Sequence, residues 1–134
     1  MTITVSRDQS GPMRHTIRIG RHTITVDEGP DNGGEDSGPN PHDLYDAALG
    51  ACKALTMVWY ARRKGIPLEA VEVEVERDAS LEREGKYLLR TLLSLDGALT
   101  DAERAQLLSV ASRCPVHKLM TQVTTEIETA LKEA

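Results

Sequence analysis

A chain of 134 residues suits one domain, 1–134, and is long enough to bury roughly 65–70% of its unfolded surface without a metal or disulfide staple. It has no Phe, one Trp and three Tyr, so its core is expected to be aliphatic. The net charge of −5 comes from both signs scattered along the chain with no basic block, which argues against nucleic acid as a partner and reads as a solubility feature.

Met1 to Asp8 has no apolar run behind a positive cluster and does not read as a signal peptide. The most apolar stretch, Leu44 to Ala61, contains Asp46 and Lys53 and sits near the lower length limit for a span. A buried helix is expected there, not a membrane segment. A cytoplasmic location follows as the expectation, and thiols there are ordinarily reduced.

Thr2 to Val5 alternates briefly and reads as an edge strand. His15 to Ile19 and His22 to Val26 alternate again, and Gly20-Arg21 between them suits a type II′ hairpin. Gly29 to Asn40, GPDNGGEDSGPN, is too rich in Gly, Pro and Asp to order by itself, so a mobile surface loop is expected, either functional or a plain connector. Asn40-Pro41-His42-Asp43 then opens a helix, with Asn40 as cap, Pro41 at the first position and Asp43 against the dipole. The helix is expected to run to about Lys64, stopped by Gly65 and Pro67.

Leu44, Ala48, Cys52, Leu55 and Trp59 return to one side of that helix, while only Asp46, Lys53, Tyr60 and Lys64 form a polar stripe. A helix apolar nearly all round lies inside something, and one small sheet cannot surround it. A partner subunit or a second sheet is expected.

Val71 to Glu76 alternates strictly and predicts a half-buried strand. Ser80 to Lys86 reads as a turn and Tyr87 to Leu95 as the next strand. Thr100 and Glu103 form a capping box, and Ala102, Ala105, Leu108 and Ala111 give the following helix one apolar side. Cys114-Pro115 starts a short helix, and Val123 to Leu131 alternates as a last strand. The order β-β-β-α-β-β-α-α-β predicts an α+β fold of antiparallel sheets around a long buried central helix.

Two thiols carry any chemistry. Cys52, in mid-helix among Gly50, Ala51 and Ala54, is either a plain core cysteine or a thiol that needs a cation brought by tertiary structure. Cys114, at a helix N-cap with Arg113 and Lys118 nearby, is either an ordinary cap or a thiol with a lowered pKa. Cys114, His117, Cys52 and His42 would make a scattered zinc set without a paired motif. There is no phosphate loop, dinucleotide fingerprint or Ser/Thr nucleophile motif, so no cofactor is expected.

Asn40-Pro41-His42-Asp43-Leu44 through Ala48-Leu49-Gly50-Ala51-Cys52, followed later by Cys114-Pro115-Val116-His117-Lys118, resembles the OsmC/Ohr family of osmotically inducible and organic hydroperoxide resistance proteins. The resemblance covers most of the chain. It implies an intertwined homodimer with sites at the subunit interface and a peroxidase without metal or flavin. Cys52 would be the peroxidatic thiol, forming a sulfenic acid from an organic hydroperoxide or hydrogen peroxide. Cys114 would resolve it as a disulfide, and a dithiol reductant would reset the pair. Arg7 best matches the family's activating arginine, with Arg14 and Arg21 as alternatives. His42 stands where the peroxidase branches carry a Glu, and it cannot be an anionic partner for Arg. Asp43 follows it, rotated by about 100°. His42 lies roughly 15 Å before Cys52 along the helix, and it either tunes the pocket near neutral pH or only caps the helix end. This places the chain nearer the OsmC-like branch. The alternative is a non-enzymatic redox-sensing or ligand-binding dimer of the same fold.

Overall fold

The computed structural model describes residues 1–133 and has a mixed α+β fold built from antiparallel sheets and three α-helices. Two compact units are distinguished, residues 1–47 and the residues from 48 onward.

In the first unit, strands β1 (Ile3–Arg7), β2 (His15–Ile19) and β3 (His22–Val26) form an antiparallel sheet in that order. Ile19 pairs with His22 across the two-residue turn. Gly20 has φ 59 while Arg21 stays at negative φ, as a type II′ turn needs. β1 is the edge strand and exposes all five residues.

The 29–40 segment, expected to be mobile, is instead folded around one carboxylate. Asp27 is 3% exposed and accepts hydrogen bonds from the backbone N–H groups of Glu28, Glu35 and Ser37 and from the Ser37 hydroxyl. Pro30–Asn32 adds a 3-10 turn, and the Asp27 N–H donates to the Pro39 carbonyl. Composition counts the segment's own residues and misses an anchor lying before it. The Ser37 donors, hydroxyl first and backbone next, outweigh burial and lower the Asp27 carboxyl from 3.8 to about 2. A depressed carboxylate pKa stabilises the fold above its unfolded value and stops doing so as the folded group is protonated. The loop is therefore expected to open between pH 3.8 and about 2. Amide exchange at Glu35 and Ser37 would show this as lost protection, and Asp27→Asn would lose that protection already at pH 7.

Helix α1 (Pro41–Lys64) starts on a reciprocal cap. The Asp43 N–H donates to Asn40 Oδ1 at 2.9 Å, and the Asn40 N–H donates to Asp43 Oδ2 at 3.1 Å. Arg62, Arg63 and Lys64 occupy the last turn, where cations suit the dipole. Gly65 at φ 68 then turns the chain out of the helix, a conformation that costs other residues a Cβ clash. No helix among the described residues is long and apolar enough to cross a membrane.

In the second unit, β4 (Leu68–Asp78) and β5 (Leu88–Gly97) pair antiparallel, with Val71 opposite Leu95 and Val73 opposite Leu93. Val71, Val73 and Val75 turn inward while Glu72, Glu74 and Glu76 face out. The strict alternation in the sequence is thus a record of which face is covered. The turn between the strands holds a 3-10 piece, Glu82–Glu84. Helix α2 (Asp101–Ala111) begins on the Thr100/Glu103 capping box, and helix α3 (Pro115–Thr121) follows with Cys114 as its N-cap. The core gathers Met57, Ala61, Ile66, Leu107 and Ala111, with Val71, Val73, Leu93 and Leu95 of the sheet against it. Leu107 and Met57 are fully buried, each worth roughly 1.5–3 kcal/mol of transfer free energy.

Three expectations need correction here. The buried side of α2 is Leu107 and Ala111, while Ala102, Ala105 and Leu108 are exposed. The helix carries apolar residues on two sides, and the core selects the one with Leu107. The expected last strand does not form a ladder: residues 124–133 have no strand partner, and Ile127 and Leu131 are exposed. Alternation specifies a face, but a strand also needs a neighbour for its N–H and C=O groups. Third, the residues of α1 that are buried within the chain are Asp46, Leu49, Gly50, Lys53, Met57 and Ala61, so Asp46 and Lys53 of the polar stripe lie inside. Leu55 and Trp59, on the apolar side, are 71% and 59% exposed.

Gly50 is where α1 comes closest to the sheet, since a Cβ there would sit 2.9 Å from Val75 Cγ2. Gly50→Ala would gain about 1 kcal/mol of helix propensity and lose about 1–3 kcal/mol to overpacking. Net destabilisation is expected in urea unfolding, with Val75→Ala partly restoring it in the double variant.

Candidate functional site: a thiol pair beside a buried lysine

The second unit brings together two residues that are 62 positions apart in sequence. Cys52 comes from the middle of α1 and Cys114 from the start of α3, and their side chains are close enough for the Cys52 thiol to act on that of Cys114. Both are free thiols; Cys52 is half-buried and Cys114 fully buried. The Val116 N–H, in the first turn of α3, donates to Cys52 Sγ at 3.4 Å. Thr56 Oγ1, one turn on along α1, lies 4.0 Å from the same sulfur. A mid-helix thiol has no dipole of its own to lean on, and here α3 supplies a donor through tertiary packing. Thr56 and Pro115 also line an open hollow of about 470 Å³ together with Leu55 and Trp59. Cys52 is the more accessible of the two thiols and Cys114 the enclosed one.

Cys114 is not the activated cap that its position suggested. Burial pushes its thiol above the ordinary value; the His117 backbone N–H and the charge of Lys53 pull the other way without outweighing it. Desolvation of a thiolate in a closed site opposes and exceeds the benefit of a helix end.

The buried cation of this unit is Lys53. It is 3% exposed, and its Nζ donates to the Ala111 carbonyl at 2.7 Å. It also lies 3.0 Å from His117 Nδ1. Burial, and next the Lys53 charge, lowers the His117 pKa from 6.5, so the imidazole is neutral at pH 7. With Nδ1 facing an ammonium, the ring proton is assigned to Nε2. Sequence reasoning missed Lys53 because it was set on a solvated stripe. Its place directly after Cys52 was the available signal.

The other candidates belong to the first unit. Arg7 ends β1, is exposed, and donates from Nη2 to the Pro12 carbonyl at 3.4 Å. Arg14 is tied to Ser37 Oγ at 2.9 Å and Ser10 Oγ at 3.0 Å, which commits it to the loop. Arg21 is exposed in the hairpin turn. His42 is exposed in the first turn of α1, where Asn40 and Asp43 already form the cap. Among the described residues, no group of three or more His, Cys, Asp or Glu is placed to hold a metal.

A family model described as OsmC-like protein matches residues 34–129. No curated protein matches the chain. Among solved structures, an OsmC-like protein from Mycoplasma pneumoniae is similar at 22% identity, with 91% of this chain and 87% of that chain covered and a TM-score of 0.72. The organic hydroperoxide resistance protein OsmC from Legionella pneumophila gives 22% identity, 90% and 88% coverage and a TM-score of 0.64. The organic hydroperoxide resistance protein OhrB of Bacillus subtilis gives 22% identity, 90% coverage of each chain and a TM-score of 0.56.

Proposed function

This chain belongs to the OsmC-like family, and from that premise we propose that it is a cytoplasmic, homodimeric thiol peroxidase acting on organic hydroperoxides or hydrogen peroxide. The single observation that carries the reading is the meeting of Cys52 and Cys114, a half-buried sulfur next to a fully buried one. Two solved neighbours named for organic hydroperoxide resistance supply the substrate class.

The chemistry needs only these atoms and a dithiol. Cys52, as thiolate, attacks the O–O bond of the hydroperoxide. The distal oxygen stays on sulfur as a sulfenic acid, and the alkoxide leaves and takes a proton to become the alcohol. The alkyl group of the substrate lies against the apolar side of α1 near Leu55 and Trp59, in a site that the second copy closes. The Cys114 sulfur then attacks Cys52 Sγ, forming the disulfide and releasing water. A dithiol reductant restores both thiols. Arg7 is assigned the activating role at the first step and His42 a place at the edge of the site, both within the dimer. A thiol raised by burial suits Cys114, because it stays protonated and shielded until the sulfenic acid forms beside it.

The test is peroxide-dependent oxidation of a dithiol by the purified protein. Turnover with cumene hydroperoxide or hydrogen peroxide is expected. No consumption of either above the uncatalysed rate would remove the reading.

A further inference from the structure

The mechanism above leaves the buried cation Lys53 without a task. A lysine at 3% exposure is costly unless paired, and Lys53 is held by one carbonyl and one neutral imidazole, neither of them anionic. Such a charge is stabilised further whenever an anion forms next to it. Cys114 is placed to provide one, since Lys53 Nζ is hydrogen-bonded to Ala111 and His117, three residues before and three after it, and the charge acts on its thiol through space.

The two sulfurs also differ in access. Cys114 has no exposed surface, while Cys52 is half-buried. An external thiol approaching a disulfide between them meets Cys52 first. We propose that access directs the reductant to Cys52, and that Lys53, oriented by Ala111 and His117, is a positioning residue that offsets part of the cost of the buried thiolate departing at Cys114. This rests on the reading that the two thiols form a disulfide, and it concerns the reductive half of the cycle.

The step balances. One thiolate of the dithiol bonds to Cys52 Sγ, the Cys52–Cys114 bond breaks, and its electron pair goes to Cys114 Sγ. The second thiol of the reductant closes on the mixed disulfide and releases Cys52. Two electrons pass from the dithiol to the protein, and Cys114 regains its proton from water. Exchange is faster when the leaving thiolate is better stabilised. The titratable groups facing Cys114 are Cys52 and Lys53 from α1 and His117 from its own helix. From α2 comes the Ala111 carbonyl to Lys53, while Arg113 is turned back to Ser109. Near this part of α1, β4 presents Val73 and Val75.

The disulfide is formed in the full-length protein with diamide, so no peroxide is involved, and its reduction by dithiothreitol is followed from pH 6 to 9. Lys53→Met is expected to slow reduction at pH 7 by roughly fivefold and to move the pH profile upward, because the departing thiolate loses its stabilising charge. Lys53→Arg is expected to stay within about twofold of the parent. In the unmutated protein, glutathione is used as a monothiol probe, with acid quenching and peptide mapping. It should be found on Cys52 with Cys114 free. An unchanged rate and profile in Lys53→Met, or glutathione mapped to Cys114, would overturn the proposal. The mapping decides the matter even if Lys53→Met does not fold. If the protein consumed no hydroperoxide yet glutathione mapped to Cys52, the peroxidase reading would fall and this assignment would stand.

Discussion

Cys52→Ser is expected to abolish peroxide-dependent oxidation of the dithiol, leaving not even a single turnover. The substitution removes the more accessible of the two thiols; Cys114 is fully buried and its thiol is pushed up by that burial. A hydroxyl in place of the thiol is a far weaker nucleophile, and nothing near residue 52 is arranged as a base to activate it. Cys114→Ser is expected to behave differently. It should consume one equivalent of hydroperoxide and stop, with a sulfenic acid on Cys52 that a dimedone adduct would reveal by mass. If Cys114→Ser lost the first turnover and Cys52→Ser kept it, the two roles would be exchanged.

Leu55→Asp should turn the proposed dimer of 14.7 kDa chains into a monomer and remove turnover with it. Leu55 and Trp59 stand 71% and 59% exposed on one side of α1, while the opposite side of that helix is covered by the chain's own sheet and helices. An apolar stripe of this kind ordinarily faces a partner. β4 and β5 form a two-stranded sheet with both edges open, and residues 124–133 lie without a ladder partner. Both features fit a second copy that covers the helix and completes the sheets. A carboxylate buried at such an interface costs several kcal/mol, enough to raise the dissociation constant by at least about a hundredfold. Sedimentation of the wild type and the variant would check it. A wild-type monomer at tens of micromolar would remove the dimer from the account.

Much of the architecture was legible because it is encoded locally. Gly20-Arg21 between two alternating runs specified the hairpin, and Asn40 with Asp43, Thr100 with Glu103, and Gly65 marked helix ends through contacts at most a few residues long. The meeting of Cys52 and Cys114 was implied by the family resemblance, since nothing local joins positions 52 and 114.

What was not legible depended on distant partners. Lys53 looked like part of a solvated stripe because its acceptors, Ala111 and His117, lie 58 and 64 residues away. Asp27 anchors a segment whose composition, read alone, suggested mobility. The raised Cys114 thiol reflects complete burial, which a helix-cap position does not reveal. Val123 to Leu131 has the alternation of a strand, yet within one chain no edge receives it.

The most direct measurement is a mass spectrum of the reduced wild-type protein after one equivalent of cumene hydroperoxide, digested without reductant. Loss of two hydrogens with a peptide pair joined through positions 52 and 114 is the predicted result. Two unlinked thiol peptides, with the hydroperoxide left unspent, would contradict the account.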